Sequence, residues 1–155
     1  MRAKPVLAVV CILAGCGGGG NGNWQQVEGD GFTYDAPSAW TVKGATATRG
    51  SIDLVQVRVF RLVRPYDATR RAAVARELDG AAARLAAQLT GEVATRRWLV
   101  VAGVDGRLYD IRYGAKLEEI TFVLDGQREY QLLCRRAASG DDAPCAELLR
   151  SFTLG

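Results

Sequence analysis

Residues 68–89 carry a single apolar stripe at helical spacing, and most of the chain from 93 to 135 alternates with a period of two. Val74, Leu78, Ala81, Leu85 and Leu89 recur at intervals of four, three, four and four, which lines one face of a helix. Asp67 stands where an N-cap is needed, and Gly91 stands where such a helix would stop. One stripe must bury itself against something, and the only large apolar partner in this sequence is a sheet. The constraint selects an α+β fold.

The longest strand is expected over 52–63, with Val55, Val57 and Val59 on one face and Leu54, Phe60 and Leu62 on the other. An antiparallel meander follows the helix. It runs through 93–101, a turn at Val104-Asp105-Gly106, and 108–113 with Tyr109, Ile111 and Tyr113 on one face. It continues through 117–124 with Ile120, Phe122 and Leu124 aligned, the hairpin signal Asp125-Gly126, and 128–135 with Tyr130, Leu132 and Cys134 aligned. Upstream, short strands are expected at 24–27, 32–34 and 40–42, followed by a Gly-, Ala- and Thr-rich loop over 44–50. A short helix is expected from about Asp141-Asp142-Ala143-Pro144, with proline in its first turn and Leu148, Leu149 and Phe152 as its apolar face.

The N-terminus has a different grammar. Arg2 and Lys4 precede an apolar run over 6–14, too short to span a bilayer as a stable helix. It ends in Leu13-Ala14-Gly15-Cys16, which resembles the bacterial lipobox. The resemblance implies cleavage between Gly15 and Cys16 and a diacylglycerol thioether on Cys16. The competing reading is an ordinary secretory signal cut near the same place. Glycines 17–20 and Asn21-Gly22-Asn23 then form a tether with little to pack. The expected layout is a signal over 1–15, a lipidated cysteine and Gly-rich tether over 16–23, and a folded domain over 24–155. The expected location is extracytoplasmic, held to a bacterial membrane through the lipid on Cys16.

Removing the signal leaves about 140 residues, enough for one core. The formal charge of +3 falls to near +1 once Arg2 and Lys4 are gone, too little for a general pull on nucleic acid. The pairs Arg70-Arg71, Arg96-Arg97 and Arg135-Arg136 are read as solvated faces in a chain whose basic charge is almost all arginine. Histidine is absent, so neither a Ser-His-Asp nor a Cys-His arrangement can be built. No CxxC, GxGxxG or P-loop is present either. Of the adjacent acidic pairs, Glu118-Glu119 would point to opposite faces of a strand, and Asp141-Asp142 reads as a cap. The acidic residues in general are expected at turns, caps or solvent-facing positions. No catalytic, cofactor-binding or metal-binding residue is assigned.

Cys11 falls in the signal and Cys16 in the lipobox, which leaves Cys134 and Cys145 for the domain. A disulfide between them is expected in an oxidising compartment, with two buried free thiols as the alternative.

Gly31-Phe32-Thr33-Tyr34-Asp35-Ala36-Pro37-Ser38-Ala39-Trp40 resembles the opening of PsbP-like domains, and Leu148-Leu149-Arg150-Ser151-Phe152 resembles their final helix entering a short last strand. The resemblance implies a central antiparallel sheet packed by one long helix and a short C-terminal helix. A cystatin-like roll is the alternative. Members of that family include extrinsic photosystem subunits, a Ran-binding nuclear-transport factor and many bacterial lipoproteins. Metal sites proposed for photosynthetic members use histidine in part, so no ligand carries over. The expected function is a noncatalytic accessory or binding role in the cell envelope, with a protein or an amphiphile as ligand. A structural or assembly factor without a small ligand is the second reading, and a carboxylate-based hydrolase the third. An apolar pocket between helix and sheet would favour a ligand, and a flat apolar patch a protein partner.

Overall fold

Residues 22–155, those that the computed structural model describes, form ten strands and two α-helices in an α+β arrangement. The signal, the cleavage position Gly15, Cys16 and most of the tether lie outside the described residues.

Strands β3 (Thr41–Lys43), β4 (Thr46–Arg49), β5 (Asp53–Arg61), β6 (Glu92–Val101), β7 (Val104–Tyr113), β8 (Lys116–Asp125) and β9 (Arg128–Ala137) build one antiparallel sheet in the order β3-β4-β5-β9-β8-β7-β6. Strands β1 (Trp24–Gly29), β2 (Phe32–Pro37) and β10 (Thr153–Leu154) form a separate three-stranded sheet. The first strands therefore do not extend the central sheet. Phe32, Tyr34 and Ala36 alternate inward along β2 and are buried, so this small sheet lies over the large one as a second layer.

Helix α1 (Arg71–Gln88) covers the opposite face. Leu78, Ala82 and Ala86 are its buried residues, packed with Tyr109, Ile111, Ile120 and Phe122 of the sheet. The buried line thus runs at strict intervals of four, and Val74, Leu85 and Leu89 flank it half-buried. Small alanines at the line let the backbone approach two tyrosine- and phenylalanine-bearing strands. A single 3-10 turn, Ala68–Arg70, leads into α1, and Asp67 caps that turn by accepting from the Thr69 amide at 2.9 Å.

On the other face, Phe32 meets Tyr130 and Phe152 with ring centroids 6.1 and 5.9 Å apart. Helix α2 (Ala143–Ser151) joins this cluster through Cys145, Leu148 and the following Phe152. With layers on both faces of the large sheet, the arrangement differs from one helix wrapped by one sheet.

Two local readings need correction. Thr46–Arg49 is a strand, not loop, because Gly44 and Gly50 take positive φ at its two ends and Ala47 is fully buried against the core. The β6–β7 turn falls at Ala102-Gly103, both at positive φ, while Asp105 and Gly106 belong to β7. A bulge separates Val93 and Thr95 on β6.

Candidate functional site

Helix α1 crosses the β6–β8 side of its sheet face and leaves β5 and β9 largely open. A hollow of about 430 Å³ opens along that uncovered flank. Leu78 and Leu124 floor it, Leu62 and Val74 line its sides, and Arg61, Arg64 and Arg70 stand at its rim with Glu77 and Glu129. The β5–α1 connection forms one wall because it is pinned to the β8–β9 hairpin. The Leu62 amide donates to Gln127 O at 2.8 Å, and the Tyr66 amide to Gly126 O at 2.7 Å. The Tyr66 hydroxyl donates to Asp105 at 2.5 Å. Burial, with that hydrogen bond and the carboxylate charge behind it, pushes the Tyr66 hydroxyl up to about 12, so it stays a donor at neutral pH. Beside the hollow, Phe60 is 44% exposed and Val63 is 97% exposed. Arg61, Arg64 and Arg70 enter no ion pair among the described residues.

A second hollow, of about 470 Å³, lies on the other face, between the strands and α2. Its lining mixes charged groups with apolar ones, among them Leu99, Val101, Leu117 and Leu149. Arg97, Asp110, Glu119 and Arg136 come from four adjacent strands, and Asp142, Cys145 and Arg150 come from the α2 segment. Cys134 and Cys145 stand at disulfide distance with their Cα atoms 5.4 Å apart, which ties the first turn of α2 to β9. Glu119 is held above the usual carboxylate range by burial first and then by the Asp110 charge, against the pull of Arg97 and Arg136.

The structure thus brings together three residues singled out in the sequence, Glu119, Asp142 and Cys145, and separates Glu118 from them. Glu118 faces α1, nearly buried, and accepts from the Tyr113 hydroxyl at 3.0 Å. Asp142 is the N-cap of α2 but makes no side-chain capping bond; Asp141, one residue before it, accepts from the Ala143 amide at 3.0 Å. The expectation that acidic residues are solvent-facing fails for Glu118 and for Glu147, which is buried and paired with Arg150. Nor is Arg96 merely solvated. It lies 3.8 Å from Asp79 of α1, beside Arg107 and the Tyr109 hydroxyl, which donate to that carboxylate at 2.9 and 2.6 Å. Among the described residues, no three His, Cys, Asp or Glu side chains converge as a metal-binding group.

Sequence reasoning missed the partnership of Asp110 with Glu119. The signal was present: with a two-residue turn at Gly114-Ala115, the β7–β8 register sets positions 110 and 119 opposite each other.

No protein-family model matches the chain, and no curated protein matches it. Solved structures do. The cyanobacterial PsbP (CyanoP) from Synechocystis sp. PCC 6803 superimposes with a TM-score of 0.64 at 14% identity, covering 92% of this chain and 99% of that one. A protein from Bacteroides thetaiotaomicron aligns with a TM-score of 0.45 at 10% identity, covering 86% of this chain and 42% of that one. At such identity the cyanobacterial likeness speaks for architecture alone. The chain has a PsbP-like fold.

Proposed function

We propose that this protein is an extracytoplasmic lipoprotein, anchored through Cys16 after cleavage behind Gly15, whose domain has a noncatalytic binding role toward an amphiphile. One observation carries the ligand: the hollow between α1 and the sheet has an apolar floor of Leu78 and Leu124 and a rim where Arg61, Arg64 and Arg70 outnumber Glu77 and Glu129. That pairing suits a single acyl chain with an anionic head, because apolar area leaves water on the floor while guanidinium groups meet the charge. The Leu13-Ala14-Gly15-Cys16 motif supports the anchor. No helix among the described residues is long and apolar enough to cross a membrane.

Thermal unfolding of the domain with and without palmitate tests the ligand. Palmitate at 100 times its Kd stabilises the native state by about 2.7 kcal/mol, and Arg61→Ala with Arg64→Ala weakens the effect. No stabilisation by palmitate, or full stabilisation of the double variant, rejects the site. The anchor has its own test: Cys16→Ser loses its acyl mass and its detergent-phase partitioning, and a serine variant that partitions as wild type does rejects the lipoprotein reading. Reproducible hydrolysis of an ester, peptide, glycoside or phosphate, lost when one carboxylate becomes its amide, would overturn the noncatalytic role.

A further inference from the structure

Asp110 of β7 and Glu119 of β8 stand directly opposite in the hairpin register, which sets their Cβ atoms roughly 4.5–5.5 Å apart. Both line the charged hollow beside α2. Asp110 Oδ1 is shut off from solvent and meets no hydrogen-bond donor among the described residues. Buried acceptors are almost always satisfied in native proteins, so this oxygen requires a partner. Two ionised carboxylates on half-buried neighbouring positions also repel each other. One proton answers both problems.

We propose that Asp110 and Glu119 share a single proton, with Glu119 as the carboxylic acid donating to Asp110 Oδ1, and that the hollow changes charge when this proton leaves to solvent. Every charged group facing the pair enters the balance. Arg97 of β6 and Arg136 of β9 favour ionisation of Glu119, whereas Asp110 and Asp142 oppose it. Burial is the largest single influence and acts in the same direction as the two aspartates. Arg150, from α2, completes the lining. Arg150 is paired with Glu147 behind the lining, so with the proton held the remaining charges balance, and once it leaves the hollow carries one net negative charge. The hollow is therefore more receptive to anions on the acid side.

A raised folded-state pKa makes the stabilisation by the bound proton complete below the unfolded value. It is lost as pH rises through the folded midpoint. Carbon-13 NMR of the side-chain carboxyls in residues 22–155, titrated from pH 3 to 8, reads the proton directly. The Glu119 midpoint is expected above the ordinary glutamate range, and Asp110→Asn is expected to lower it by removing the like charge. Glu119→Gln keeps a donor toward Asp110 at every pH. Its Tm is expected to match wild type in acid and to exceed it increasingly toward neutrality. A Glu119 midpoint in the ordinary range overturns the proposal, as does a raised midpoint indifferent to Asp110→Asn. Neither result bears on palmitate binding, which concerns the opposite face of the sheet.

Discussion

At the residue scale, Asp79 decides how α1 seats on the sheet. Its carboxylate accepts from the hydroxyl of Tyr109, a fully buried side chain, and from Arg107, whose guanidinium also lies over the Trp98 ring at 5.4 Å. Burial pushes the Asp79 carboxyl up, but the two hydrogen bonds and the charges of Arg107 and Arg96 outweigh it and hold it below its ordinary range. A depressed carboxylate contributes stability that is present above the unfolded pKa and lost as pH falls through the folded one. Urea unfolding should therefore find Asp79→Asn less stable than wild type at pH 7, with the gap closing in acid. Asp79→Ala strands the Tyr109 hydroxyl and should cost about 1–3 kcal/mol at pH 7. A neutral result for the alanine variant would show that water replaces the carboxylate at no cost. Little of this network was legible beforehand. Asp79 lies 28 and 30 positions from its partners, and Arg96-Arg97 carries no mark that separates a solvated arginine from a seated one.

At the element scale, the end of α1 distributes two tasks over adjacent residues. Thr90 takes positive φ, its amide donates to Ala87 O at 3.1 Å, and the Gly91 amide donates to Ala86 O at 2.8 Å. This is a Schellman closure with threonine in the left-handed position, where glycine is usual. Gly91 answers a different need, since a Cβ there would lie 2.2 Å from Arg112 O. Thr90→Gly is thus expected to stabilise by about 0.5–1 kcal/mol, and Gly91→Ala to destabilise by more than that, both read as denaturation midpoints. Equal effects of the two changes would refute the division. The disulfide expected between Cys134 and Cys145 joins α2 to β9. Its reduction should remove about 3 kcal/mol and lower Tm by roughly 5–10 °C, whereas rapid alkylation of both thiols in the unreduced protein would rule the bond out. Elements were most legible where apolar residues keep a strict period. The helix follows from its three–four spacing, and strands β7 to β9 from alternation over six to eight positions. Strand β4 escaped because its one buried residue, Ala47, is small and sits among threonines. The β6–β7 turn was displaced because Asp105-Gly106 has the better turn chemistry, yet Ala102-Gly103 matches the pairing of Val101 with Val104.

At the scale of the whole molecule, the chain's entry and the candidate amphiphile site lie at opposite ends. Trp24 opens β1 opposite Pro37, and Ser38 bonds back to Asn23 O at 2.9 Å, so the tether joins the domain there. Strand β1 then runs six residues, roughly 20 Å, to the Asp30-Gly31 turn beside Arg128 and Tyr130. That turn neighbours the β8–β9 hairpin, whose Gln127 holds Leu62 at the mouth of the hollow. An anchor and a binding site separated in this way should act independently. Removing residues 1–21 is expected to abolish membrane partitioning while leaving the palmitate Kd of residues 22–155 within twofold of that of the lipidated protein in detergent-free nanodiscs. The same truncation is expected to leave Tm unchanged if the tether only links the domain to its lipid. A tenfold loss of palmitate affinity with unchanged Tm would mean that the tether folds back to complete the site. A fall in Tm would mean instead that the anchor segment packs on the domain.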